Sequence, residues 1–120
     1  MIRAALVVLM MAGSPALAQE VTEGEGVILR ALDKVTGDVQ DLDMPRGTSI
    51  NYGRLQITSG ECRYPTGNPS GDAFARLQIR DQTAGEIMFE GWMIASAPAL
   101  NALDHARYDV WVLRCKTSDA

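Results

Sequence analysis

Histidine occurs once in the chain, at position 105, and cysteine only twice, at 62 and 115. A structural zinc site takes four Cys or His ligands in close pairs, and three scattered residues leave it one short. Acid–base chemistry would have to lean on His105 or on carboxylates. The hydrolase signatures G-x-S-x-G, S-x-x-K and H-E-x-x-H are missing, as are a P-loop and a G-x-G-x-x-G between strand and helix. Gly24-Glu25-Gly26 stands in polar text near the start and has no such context. Asp33, Asp41 and Asp43 lack the D-x-D-x-D-G spacing of a calcium loop. No metal and no cofactor is therefore expected. Basic residues are outnumbered by acidic ones, 11 against 15, a balance that speaks against a nucleic-acid partner.

What is present begins at the N-terminus. One positive charge, Arg3, precedes an apolar run from Ala4 to Ala12, then a helix breaker, Gly13-Ser14-Pro15, and the small residues Ala16-Leu17-Ala18. Those are the parts of a secretory signal. The run falls well short of the roughly 20 apolar residues of a membrane span, and no cysteine stands at the cleavage point to take a lipid. Residues 1–18 are read as a signal peptide cut between Ala18 and Gln19, and its short, Ala-rich form points to a bacterial periplasm. Loss of Arg3 moves the formal net charge from −4 to −5. No second run of spanning length follows, so no membrane span is expected in the mature chain. An even cysteine count in an exported domain reads first as a disulfide, here Cys62 to Cys115, worth about 4 kcal/mol in the chain-entropy account. The rival is a free catalytic thiol served by His105. An oxidising compartment and the lack of a C-x-x-C argue against it.

Residues 19–26 are polar, acidic and Gly-containing, and are expected to be a flexible lead-in. Residues 27–116 read as one β domain and 117–120 as a tail. A strand over 27–33 turns near Gly37 into an alternating strand through Leu42 and Met44, and Pro45-Arg46-Gly47 makes the next turn. Residues 48–50 and 54–58 form a hairpin, the second strand running on towards Cys62. Tyr64 to Asp72 is a loop. Ala75, Leu77 and Ile79 alternate with polar residues, then Ile87 and Phe89 do the same after a turn at 82–85. Ser96 as N-cap, Pro98, and Leu100 with Leu103 predict one short helix over 97–104. Residues 108–115 are almost continuously apolar and β-favouring, which predicts a central strand covered on both faces, with Trp111, Leu113 and Cys115 on one side. The expected fold is all-β and mainly antiparallel, a small barrel or a sandwich.

Two groups of side chains could carry function. Asp104, His105 and Asp109, beside Tyr108, are the one dense titratable cluster, with a solvated turn as the plainer reading. Tyr52, Tyr64, Trp92, Tyr108 and Trp111 are candidates for a binding face; for Trp111, inside the apolar strand, a core position is the expectation. Trp92, Met93 and Ile94, together with Tyr108, form the candidate interaction surface, because the segment from Gly91 to His105 is unusually apolar for a connection between strands.

The run from Gly91 to His105, with Tyr108-Asp109-Val110-Trp111-Val112-Leu113 and Cys115, resembles the signature of a family of small exported alphaproteobacterial proteins, domain-of-unknown-function family 2155. Ala31-Leu32-Asp33-Lys34-Val35-Thr36, Gly53-Arg54-Leu55 and Cys62 fit the same family, which departs from this chain in the loop 63–72. The resemblance implies export, a single domain and the Cys62–Cys115 pairing, and it implies no activity, substrate or catalytic residue. The expected function is a non-enzymatic periplasmic accessory that binds an envelope protein or peptide. The alternative is a small-ligand binder or an enzyme acting on an envelope glycan or peptide through Asp104, His105 and Asp109.

Overall fold

The structure, a computed structural model, describes residues 20–118. The signal read in residues 1–18 and its cleavage point, Ala18 and Gln19, lie outside the described residues. Eight strands follow in order: β1 (Val21–Glu23), β2 (Gly26–Asp33), β3 (Val39–Pro45), β4 (Ser49–Tyr52), β5 (Leu55–Pro65), β6 (Phe74–Asp81), β7 (Glu86–Ile94) and β8 (Tyr108–Lys116). All pairings are antiparallel. One sheet is built on β5, which pairs with β6 along one side; β4 and then β1 share its other side, and β7 follows β6. The second sheet has the order β3-β2-β8.

The period-two pattern explains the two-layer build. Leu55, Ile57, Ala75, Leu77, Ile79, Phe89 and Met93 bury themselves from one sheet, and Val27, Leu29, Ala31, Leu42, Met44, Val110 and Val112 from the other, in one core. The sheets face each other without joining into a closed barrel. Cys62 of β5 and Cys115 of β8, both buried, are disulfide-bonded and tie one sheet to the other.

Two hairpin turns share one construction. In β2–β3 the Asp33 carbonyl accepts from Gly37 N–H, and in β6–β7 the Asp81 carbonyl accepts from Gly85 N–H, each at 2.8 Å. Each glycine sits at positive φ, +78° and +71°, where a Cβ would be strained. Each aspartate also caps its turn: Asp33 Oδ1 accepts from Val35 and Thr36 N–H, and Asp81 Oδ1 from Thr83 and Ala84 N–H.

Four expectations need correction. Residues 97–104 form a turn at 98–100 and an irregular stretch after it, not a helix. Ser96 does not cap them, since its N–H and Oγ both donate to Asp72, at 2.9 and 2.6 Å. Ala95 N–H bonds Ala73 O instead, and Leu100, 74% exposed, shares no face with buried Leu103. The lead-in is partly ordered, because Val21–Glu23 pairs with residues 63–65 at the end of β5. Those three residues are accordingly strand rather than loop at positions 64 and 65. Finally, β8 is an edge strand, and Trp111 on its outer face is half-buried. A bulge at Leu113 separates the pairs Leu29↔Val112 and Ile28↔Arg114, so Cys115 faces inward with Val112 and not outward with Trp111.

Candidate interaction surface

Strand β7 runs to Ile94, so strict alternation splits the apolar stretch that the sequence presents as one patch. Met93 points into the core and is 3% exposed, while Trp92 and Ile94 point outward and are half-buried. Tyr108 is likewise interior, 2% exposed. Of the four residues proposed for the surface, two share it.

Three further side chains complete that outer face. Phe74 pairs with Ile94 across the β6–β7 ladder, and with Arg63 across β5–β6. Val21 of β1 reaches the same end of the sheet. Together Val21, Arg63, Phe74, Trp92 and Ile94 line a largely apolar groove of about 310 Å³. The Arg63 guanidinium lies over the Trp92 ring, 5.0 Å from its centroid, and bonds Glu61 at 2.6 Å. Stacking of this kind steadies the ring and keeps a cation at the groove's rim. The alternation of Phe74 with Arg76 could have assigned Phe74 to this face from sequence. Nothing local could have assigned Val21, whose place depends on pairing with a strand some forty residues away.

The polar candidates do not converge. His105 is 7% exposed, and its Nδ1 accepts from the N–H groups of Arg107 and Tyr108, at 2.9 and 3.3 Å. The ring proton therefore sits on Nε2, which donates to Asp81 Oδ2 at 2.8 Å. With both nitrogens engaged, the ring bonds neither Asp104, which is exposed, nor Asp109, which is half-buried. The His105 N–H first, then the turn amides, hold the Asp81 carboxyl at about 2. Asp33 is held at about 2 in the same manner, by Arg107 first, whose Nη2 donates to Oδ2 at 2.9 Å.

These groups ring one end of the two-sheet stack. There the Arg54 and Arg107 guanidiniums both lie near the Tyr108 ring, 6.0 and 5.4 Å from its centroid, with Tyr52 edge-on at 5.8 Å. Arg54 N–H donates to the Tyr108 hydroxyl, and Gly53 sits against it: a Cβ at position 53 would come 2.4 Å from that oxygen. A polar cleft of about 300 Å³ opens beside them, but its carboxylates have partners, Asp33 in Arg107 and Asp38 in the Tyr52 hydroxyl. The arrangement is a packed polar end, in which Asp33, Asp38 and Asp81 are each tied to a structural donor. Asp41 and Asp43 are likewise paired, with Arg30 and Lys116.

Residues 27–115 match a family described as uncharacterized protein conserved in bacteria, DUF2155. The chain belongs to that family. It is also similar to the uncharacterized protein RP359 of Rickettsia prowazekii (strain Madrid E), 23% identical over 88 residues, which are 71% of this chain. The chain spans 57% of the length of that protein. No solved structure matches the chain. Neither description names an activity, so the reading of this DUF2155 domain rests on its own surfaces.

Proposed function

We propose that the chain is an exported, non-enzymatic binding module of the bacterial cell envelope, which docks a periplasmic or envelope protein or peptide on the Trp92–Ile94 face. The single observation that carries the reading is the groove: Trp92, Ile94, Phe74 and Val21 line it on the outer side of the five-stranded sheet, while neighbouring Met93 goes to the core. A small domain gains nothing in folding by collecting such side chains on a solvent face, and contiguous apolar surface of this kind favours a partner. Export is supported by the signal-like residues 1–18 and by a domain whose two cysteines form one buried disulfide, a bond characteristic of oxidising compartments. The absence of convergence at Asp104, His105 and Asp109 removes the observation on which the enzyme reading depended.

A photo-crosslinking amino acid at position 94, with position 41 on the opposite sheet as control, tests the docking reading in whole cells of the native host. An adduct at 94 and none at 41 is expected. No adduct, or the same adduct at both positions, overturns it. In parallel, Ile94→Glu should keep the near-UV spectrum of the wild type, whereas Met93→Glu should unfold, since a charge cannot replace about 2 kcal/mol of buried side chain without a partner.

A further inference from the structure

Strand β8 has a neighbour on one side only, since its ladder is with β2 and the sheet ends there. At the start of that ladder the Arg107 carbonyl accepts from Lys34 N–H, at 2.8 Å. Backbone groups alternate in direction along an antiparallel strand, so Asp109 and Trp111 also turn theirs to β2. Val110 and Val112 therefore turn theirs to the open edge, where no backbone group bonds them among the described residues. The far edge of the same sheet is guarded: β3 carries exposed Asp41 and Asp43 and ends on Pro45. From Val110 to Val112, β8 is regular, apolar and uncharged, and its bulge comes only at Leu113. The connection from β7 does not close this edge. Backbone N–H groups of Ala95, Ala97 and Leu100 bond Ala73, Ile94 and Ala97. Pro98, Ala99 and Ala102 stand off from Val110 and Trp111 across a largely apolar recess of about 330 Å³.

Charge selects the occupant. On the outer face of this sheet Arg30 bonds both Asp41 oxygens, at 2.8 and 3.1 Å, and Lys116 bonds Asp43 at 2.9 Å. Asp109 and Arg114 are left without an ion pair among the described residues. Arg114 acts on Asp41 only as the weakest influence on that carboxyl. The two residues are opposite in sign and stand on one strand, on either side of half-buried Trp111. A strand so charged is complementary to a copy of itself running antiparallel, whereas a parallel copy would set like charges together. We propose that β8 pairs with β8 of a second copy, antiparallel about a two-fold axis at Trp111, so that one sheet runs through both molecules. Val110 of each copy exchanges ladder bonds with Val112 of the other, and the two Trp111 rings meet on the outer face. Asp109 comes opposite the Leu113–Arg114 bulge of the second copy, and the recess beside Trp111 gives the incoming strand its room. This edge belongs to the sheet opposite the Trp92 groove, and the pairing does not rest on the docking reading.

The test is sedimentation equilibrium of the purified mature chain, disulfide intact, at rising concentration, with hydrogen exchange followed at the Val110 and Val112 amides. A dimer is expected, and those two amides should slow as it forms. Asp109→Arg and Arg114→Asp, each with the far-UV spectrum of the wild type, should weaken the dimer on the order of tenfold. An equimolar mixture of the two variants should recover it, because each supplies the charges that the other lacks. A chain that stays monomeric up to about 1 mM overturns the proposal, whether or not β8 then binds an added peptide or phosphatidylglycerol vesicles. So does a dimer that slows the amides of Trp92 to Ile94 in place of Val110 and Val112, a dimer that the charge variants leave unchanged, or a mixture no tighter than its parts.

Discussion

His105 joins three separate regions of the chain, two through its ring and one through its carbonyl. Its Nδ1 satisfies two amides at the start of β8, its Nε2–H reaches the Asp81 turn between β6 and β7, and its carbonyl accepts from Lys34 Nζ at 2.7 Å. Removing the ring strands two N–H groups and a buried carboxylate oxygen at once, and buried polar atoms without partners cost more than the bonds contributed. His105→Ala should lower stability by about 2–4 kcal/mol, read as a shift in urea midpoint with the disulfide intact. A shift below about 0.5 kcal/mol would mean that water replaces the ring, and that the histidine is not the pin described. The lone histidine is conspicuous in the sequence, but its partner is not. Asp81 announces a turn through Gly85, and nothing near it announces that its second oxygen faces a residue 24 positions on.

Alternation made most strands readable, because each has one wet and one dry face, as in Leu55 and Ile57 or Ala75, Leu77 and Ile79. Two elements defeated local reading for different reasons. In 97–104 the helix signals were genuine but weak, and a single turn of helix cannot compete with Asp72 for the Ser96 donors. In β8 the periodicity is genuine and still misplaces Cys115, because a one-residue bulge reverses the facing of all that follows. Deletion of Leu113 should therefore be tolerated: it leaves Val112, Arg114 and Cys115 in regular register opposite Leu29, Ile28 and Val27. The deletion variant is expected to show no free thiol under denaturing titration with a thiol reagent. Two titratable thiols would show that the extra residue is needed to aim Cys115 inward.

At the scale of the molecule, two facing sheets are held by a shared apolar core, one disulfide, and a polar end where Asp33 and Asp81 anchor the last strand to two hairpin turns. Both carboxyls sit at about 2 in the folded chain, whereas in the unfolded chain they take up protons near about 3.9. Between those values the unfolded state binds more protons, so stability falls as pH falls. Their contribution is complete above about pH 5 and lost by about pH 2. Urea midpoints measured from pH 7 to 2 should drop across that window, and less steeply in Asp33→Asn or Asp81→Asn; an unchanged slope would mean the two carboxyls are not anchors. The sequence by itself determined the class of fold, every strand but β1, the hairpin turns and the pairing of the only two cysteines, since those follow from local periodicity, glycine and a count. The tertiary structure alone decided which outward residues meet. Val21, Arg63, Phe74, Trp92 and Ile94 come from four strands, and a groove made by non-local pairing leaves no trace in any one of them. The first four residues of what the sequence presents as an apolar connection, Gly91 to Ile94, are the end of a strand with one face in the core and the other on the groove.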